Sequence, residues 1–303
     1  MQECINMAVD DSDFYGDDDL KQNLCHRVDG FDVDQWARTQ SVNPGRPQQQ
    51  TNFAAHAPRL HNPYAGVPYA WQLTETVDDF LVRLPPATTV QDEAVPWIFL
   101  CNPYIPRLER RHSDGGCLKA NEDEAPVEEN SQLQLAVRGG MERLELVLSL
   151  RERLERAGES EGVIKREMGK EAKQTALDIL NLAHAGKVRT GKWLLFCQPA
   201  DVNENWELVA KATANNELGI AAKVAPRAPD QDQRKDHLIC VYTMDFHDKA
   251  DVGRVLRRLR ELRLVESRAR PIYYKPDIFT YMGISQGNPW GLGASIYSSR
   301  DIF

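Results

Sequence analysis

Lys223, Arg227, Arg234 and Lys235 stand close together in the stretch 223–235, which runs from the end of an apolar segment into a loop, PRAPDQDQRKD. Guanidinium and ammonium groups spaced along a loop can close on phosphate oxygens, and a flat indole nearby would stack a base. Loop cations are also ordinarily solvated without any ligand, so the phosphate reading competes with a bland one.

A second row of cations, Arg254, Arg257, Arg258, Arg260 and Arg263, lies in DKADVGRVLRRLRELRL beside an apolar stripe. Amphipathic helices commonly carry such residues on their solvated face, and that reading is favoured for this row. Lys275 and Asp277 in YYKPDIFTY could act as base and partner, but Pro276 between them reads as the end of a strand. His237 and Cys240 are three apart in a strand and so point to opposite faces, with no second pair at zinc-ligand spacing. No metal and no cofactor are expected. G-x-S-x-G, Walker and G-x-G-x-x-G motifs are absent, and SQGNPWGLGAS (285–295) lacks a following helix to hold a phosphate.

The elements that must position these residues follow from periodicity. ETVDDFLVRLPP (75–86) reads as a short amphipathic helix, VPWIFLCNP (95–103) as a strand, and 131–185 as a long helical stretch divided at Gly158. WLLFC (193–197) is a strand. Asp201 and Glu204 then have capping-box spacing ahead of a helix whose inner face is Val202, Trp206, Val209, Ala210 and Thr213. IAAKV (220–224), HLICVYT (237–243), IYYK (272–275) and GASIYSS (293–299) supply further strands, and Asp248 caps the arginine helix. From 193 the order is β-α-β-β-α-β-β, an α+β fold in which helices back one face of a mostly antiparallel sheet. Trp193 alternates with Leu194 between two apolar faces, so Trp193, like Trp206, is assigned a structural role in the core.

Residues 1–70 read as a largely irregular acidic and polar lead segment, and 71–303 as a single domain with an acidic insertion near 112–130. At 303 residues, with 42% hydrophobic and 27% charged residues, the chain can build a sizeable core. A net charge of -8 argues against a protein that coats DNA non-specifically. Six cysteines without a CxxC pair suggest free thiols, and the acidic N-terminus lacks the character of a signal peptide; both point to the cytoplasm or nucleus, with no membrane partner.

Several stretches in order, ETVDDFLVRLPP, PWIFLCNP, TGKWLLF, LGIAAKV, HLICVYTMDFHDKADVGRVLRRLREL, IYYKPDIFTYMGI and NPWGLGASIYSS, resemble the basophilic-leukaemia-expressed protein family, which carries a domain of unknown function. That family is similar in fold to the messenger-RNA cap-binding translation initiation factor of the 4E type, a curved antiparallel sheet backed by helices. The resemblance implies that Trp193 in TGKW matches a structural tryptophan, that Trp97 or Trp71 stands in for the first of the two residues that sandwich the cap guanine, and that Arg227 and Lys235 stand where the factor contacts cap phosphates. The Trp-Glu pair that recognises the cap guanine is replaced here by NLAHAGKVR, so the resemblance implies phosphate contact without true cap recognition. YGDDDLK (15–21) nearly matches the motif by which partners dock on the factor's helical face, with Lys21 in place of an apolar residue.

The expectation is therefore a non-catalytic nucleotide- or RNA-binding module. One alternative is a protein-interaction scaffold that uses its helical face, with residues 10–19 lying against the arginine helix. An enzyme whose pocket no linear motif reveals is the other. The whole ligand expectation requires that the sheet face away from the helices be open.

Overall fold

The computed structural model describes residue 22 and residues 59–108, 124–229, 236–266 and 270–300. The chain divides into two units, Met1–Ala57 and Pro58–Phe303, and the second holds the sheet with its helices. YGDDDLK, the acidic residues 10–19, Arg234 and Lys235 lie outside the described residues, as does most of the insertion at 112–130.

Helix α1 (Val77–Arg83) opens on Thr76, whose hydroxyl accepts from the Asp79 backbone N–H at 3.1 Å. It ends before Pro85 and Pro86, which cannot extend it. Strand β1 (Ile98–Cys101) follows. Helices α2 (Leu133–Arg156) and α3 (Glu161–Ala185) are separated where Gly158 adopts φ +72°, a left-handed turn that glycine takes without a Cβ penalty.

The remaining order is β2 (Gly191–Cys197), α4 (Val202–Ala214), β3 (Ala221–Val224), β4 (His237–Thr243), α5 (Lys249–Glu261), β5 (Tyr273–Pro276), α6 (Asp277–Tyr281) and β6 (Tyr297–Ser298). The spatial order of the sheet is β1-β3-β4-β2-β5-β6, antiparallel throughout its strand pairs. This is the helix-backed α+β layout expected from the periodicity. Three details differ. Asp201 precedes α4 but makes no side-chain cap bond, its backbone already being helical at φ -104°, ψ -9°. The last strand is only two residues long. The segment after Pro276 closes into the one-turn helix α6, because the proline's extended backbone serves as its N-cap.

Strand alternation sorts the sheet into two faces. On one, Ile98, Leu100, Ala222, Val224, Ile239, Val241, Trp193, Leu195 and Tyr274 join the buried faces of α2–α5 in the main core. Helix α4 contributes Val202, Trp206, Val209 and Ala210, and α5 contributes Val252, Val255, Leu256 and Leu259. Trp193 and Trp206 have no exposed surface. Removing an indole of roughly 200 Å² from water favours folding by about 5 kcal/mol before entropy is counted. Trp193 also satisfies its polar atom, donating from Nε1 to the Val252 carbonyl at 3.1 Å.

The other face carries Phe99, Cys101, Ala221, Cys240 and Tyr242; the expectation that it stands open does not hold, because the chain's own residues cover it. Residues 62–71 fold across it in successive turns. Gln72 holds them together: its Nε2 donates to the carbonyls of Tyr64, Val67 and Ala70 at 3.0–3.1 Å, and its Oε1 accepts from Gly66. Tyr64 stacks on Phe99 with centroids 4.8 Å apart, and Val67 and Ala70 are buried beside it. Residues 59–70 are thus part of the folded unit although their sequence is irregular: turns and side-chain amides satisfy much of their backbone, and Ala70 bridges Phe99 of β1.

Candidate functional site

Among the described residues, Lys192 and Lys223 of the covered face join one buried network. The register pairs Lys192 with Tyr242 on one side and with Lys275 on the other, while Lys223 lies opposite Phe99 and Cys240. Lys192, Lys223, Lys275 and Tyr242 therefore point to the same side of the sheet. Lys192 and Lys223 are only 3% and 2% exposed, so each requires a partner.

Glu124 provides it. This residue immediately follows the undescribed stretch 109–123, and its carboxylate is buried against the sheet. One oxygen accepts from Lys192 Nζ and, at 2.9 Å, from the Tyr242 hydroxyl; the other accepts from Lys223 Nζ at 3.2 Å. Lys192 also donates to Asp277 Oδ1 at 2.8 Å and to the Thr280 hydroxyl at 3.0 Å, and the Thr190 hydroxyl donates to Asp277 Oδ2 at 2.6 Å. Aromatic rings close the box: Lys223 Nζ lies 4.0 Å from the Trp97 ring centroid and 5.6 Å from that of Phe99. The Tyr64 hydroxyl donates to the Glu124 carbonyl at 2.9 Å, joining the cover to the network.

The electrostatics are uneven. Burial works to raise the Glu124 carboxyl, but Lys192 and Lys223 outweigh it and hold it down at about 2. Burial holds Asp277 above the usual carboxylate range, against the pull of Lys192, and the Glu124 charge adds to the rise. Burial disfavours the Lys192 ammonium, yet Asp277 and Glu124 more than offset this and raise it. Burial, followed by the Glu124 charge, pushes the Tyr242 phenol up. Lys275 moves the other way, lowered by burial and then by Lys192; it makes no ion pair among the described residues. Two ammonium groups and a phenol close on one carboxylate, and Lys275 stands at the edge of the cluster with no ion pair among the described residues.

Of the residues singled out in the sequence, Lys223 and Trp97 belong to this cluster and touch each other. Trp71 does not; its ring packs on the helix-side core and its Nε1 donates to the Glu75 carbonyl at 3.2 Å. Arg227 is exposed beyond the end of β3, where its backbone bridges to residues 89–91. The arginine helix is tied to its own surroundings. Arg254 reaches Asp251 and the carbonyls of Glu217 and Leu218, Arg258 reaches Glu217 and Glu261, and Arg260 reaches the Ser299 carbonyl. Asp277 pairs with Lys192 and Thr190, not with Lys275.

Lys192 and Glu124 escaped the sequence reading. Lys192 left a signal: next to Trp193 in an apolar strand, it must face the opposite side of the sheet. Glu124 left none, being one acidic residue among many in NEDEAPVEEN. Cys101, Cys197 and Cys240 are buried free thiols, and no described helix is long and apolar enough to cross a membrane. Compared with models of protein families, residues 24–283 match the one described as basophilic leukemia-expressed protein Bles03.

Proposed function

This chain belongs to the family of the basophilic leukemia-expressed protein Bles03, and we propose that it is a non-catalytic binding module for a nucleotide or an RNA end, seated at the Lys192–Lys223–Trp97 cluster. The observation that carries the reading is the grip of Lys192, Lys223 and Tyr242 on a carboxylate that comes from outside the sheet. A phosphate oxygen offers those donors the same chemistry as the Glu124 carboxylate, and the half-buried Trp97 indole is suited to a base. Lys275, which makes no ion pair among the described residues, and the exposed Arg227 would take further phosphate charge.

The covered face sets the condition for binding. Glu124 acts as an internal stand-in for the ligand's anionic group and must leave before the ligand enters. The test is fluorescence titration of the full chain at low salt with capped and uncapped RNA oligonucleotides and with mononucleotides. Glu124→Gln should bind more tightly than wild type, and Lys223→Met in that background should remove the gain. Absence of binding by both wild type and Glu124→Gln refutes the proposal. The free thiols at 101, 197 and 240 support placing this activity in the reducing cytoplasm or nucleus.

A second reading, a protein-interaction scaffold on the helical side, is favoured by a groove of about 360 Å³ between α1 and α4. Leu81, Val82, Pro85 and Pro86 line it with Trp206, whose buried Nε1 has no hydrogen-bond partner among the described residues, and Val82 is 82% exposed. Val82→Asp should abolish capture of a protein partner and leave nucleotide titration unchanged if this reading holds.

A further inference from the structure

The fold brings one potential metal ligand up to two others that lie far from it in the chain. His184, near the C-terminus of α3, meets Asp245 and His247 in the turn after β4, and one ligating atom from each lies within 4.8 Å of the other two. His184 Nε2 stands 3.0 Å from Asp245 Oδ2, and the two imidazoles stack with centroids 4.6 Å apart. Spacing along the chain argues against a zinc site, because His237 and Cys240 face opposite sides and no second His or Cys pair stands at ligand spacing; here two ligands come from one turn and the third from another element.

The turn is held in place by its neighbours. Phe246, between the two ligands, is fully buried; its N–H donates to the Arg189 carbonyl at 2.8 Å and its own carbonyl accepts from the Tyr297 hydroxyl at 2.9 Å. Asp245 Oδ1 accepts from the His247 backbone N–H at 2.8 Å, which fixes the carboxylate and leaves Oδ2 turned to His184. The buried Phe246 anchors the chain while Asp245 and His247 on either side of it remain accessible, the side chain of Asp245 being 23% exposed and that of His184 36%.

We infer that His184, Asp245 and His247 form a binding site for a divalent first-row transition ion, of which zinc is the representative. Two imidazole nitrogens and one carboxylate oxygen suit such an ion better than magnesium or calcium, which prefer all-oxygen shells. Ligands about 2.1 Å from a tetrahedral zinc are roughly 3.4 Å apart, so closing the triad needs only side-chain rotation of the more exposed imidazole. The solvent side of His247 leaves the fourth position to water, as in sites that exchange a ligand. Metal binding by the triad does not depend on nucleotide binding at the lysine cluster.

The test uses the full chain without an affinity tag, dialysed against chelator, then titrated with Zn²⁺ by calorimetry and with Co²⁺ by visible absorption. One equivalent should bind, with the ligand-field bands of a tetrahedral or five-coordinate ion. His247→Ala, at an exposed position, should weaken binding by about tenfold or more while the far-ultraviolet dichroism is unchanged. Asp245→Asn keeps the Oδ1 contact to the His247 N–H and should weaken binding comparably. Lack of saturable binding, or full affinity in His247→Ala, overturns the inference and leaves a simple His184–Asp245 ion pair.

Discussion

Lys192 and Asp277 meet at 2.8 Å with neither group open to solvent, the Asp277 side chain having 0% exposure. A pair so placed is held by geometry more than by net gain, because desolvation consumes most of the Coulomb attraction. Removing one partner is a different matter. Lys192→Met would leave the Glu124 and Asp277 carboxylates buried beside each other without their shared cation. The expected loss is about 3–5 kcal/mol of unfolding free energy, read from urea denaturation. A loss below about 1 kcal/mol would mean that water already reaches the network.

Glu124 gives a pH dependence of definite sign. Its folded-state carboxyl is held at about 2, below the ordinary glutamate value of about 4.3. The unfolded state therefore takes up the proton first, so the stabilisation is complete above about pH 5 and is lost as pH falls towards 2. Glu124→Gln should be less stable than wild type at pH 7 by about 3 kcal/mol, and the gap should close between pH 4 and pH 2 as approximate limits. A gap that persists at pH 2 would show that packing, not charge, causes the loss.

Trp193 lies on the opposite side of the sheet from the lysines, edge-on to Tyr274 at 5.4 Å. Trp193→Phe removes the indole bond to the Val252 carbonyl, which keeps only its bond within α5, and opens a gap in the core. Stability should fall by about 2–4 kcal/mol. Nucleotide affinity measured under folded conditions should not change, and a change would place Trp193 in the ligand site.

Gly219 lies where the chain turns into β3. A Cβ there would stand 1.8 Å from the Tyr242 carbonyl oxygen, the acceptor of the Ile220 N–H. Backbone cannot yield as a side-chain tip can, so Gly219→Ala should displace β3 from β4, the strands that carry Lys223 and Tyr242. Unfolding free energy should drop by about 3 kcal/mol or more, accompanied by loss of any nucleotide binding. A variant of normal stability would show that the turn relaxes freely.

What the amino-acid sequence determined by itself was local in origin. Side-chain period and caps decided the helices, the strand order from β2 onward and the core assignment of Trp193 and Trp206, because a residue's face within an element depends only on its neighbours along the chain. Tertiary structure alone decided that Tyr64 and Glu124 close the face away from the helices. It also decided that Lys223 meets Trp97 while Trp71 points elsewhere, and that His184 meets Asp245 and His247. The His184–Asp245, Glu124–Lys223 and Lys223–Trp97 contacts join residues 61 to 126 positions apart, and the energy that selects such contacts is the need of a polar or charged group for a partner. Such a need is visible one residue at a time in the sequence, but which partner answers it depends on the folded path of the whole chain.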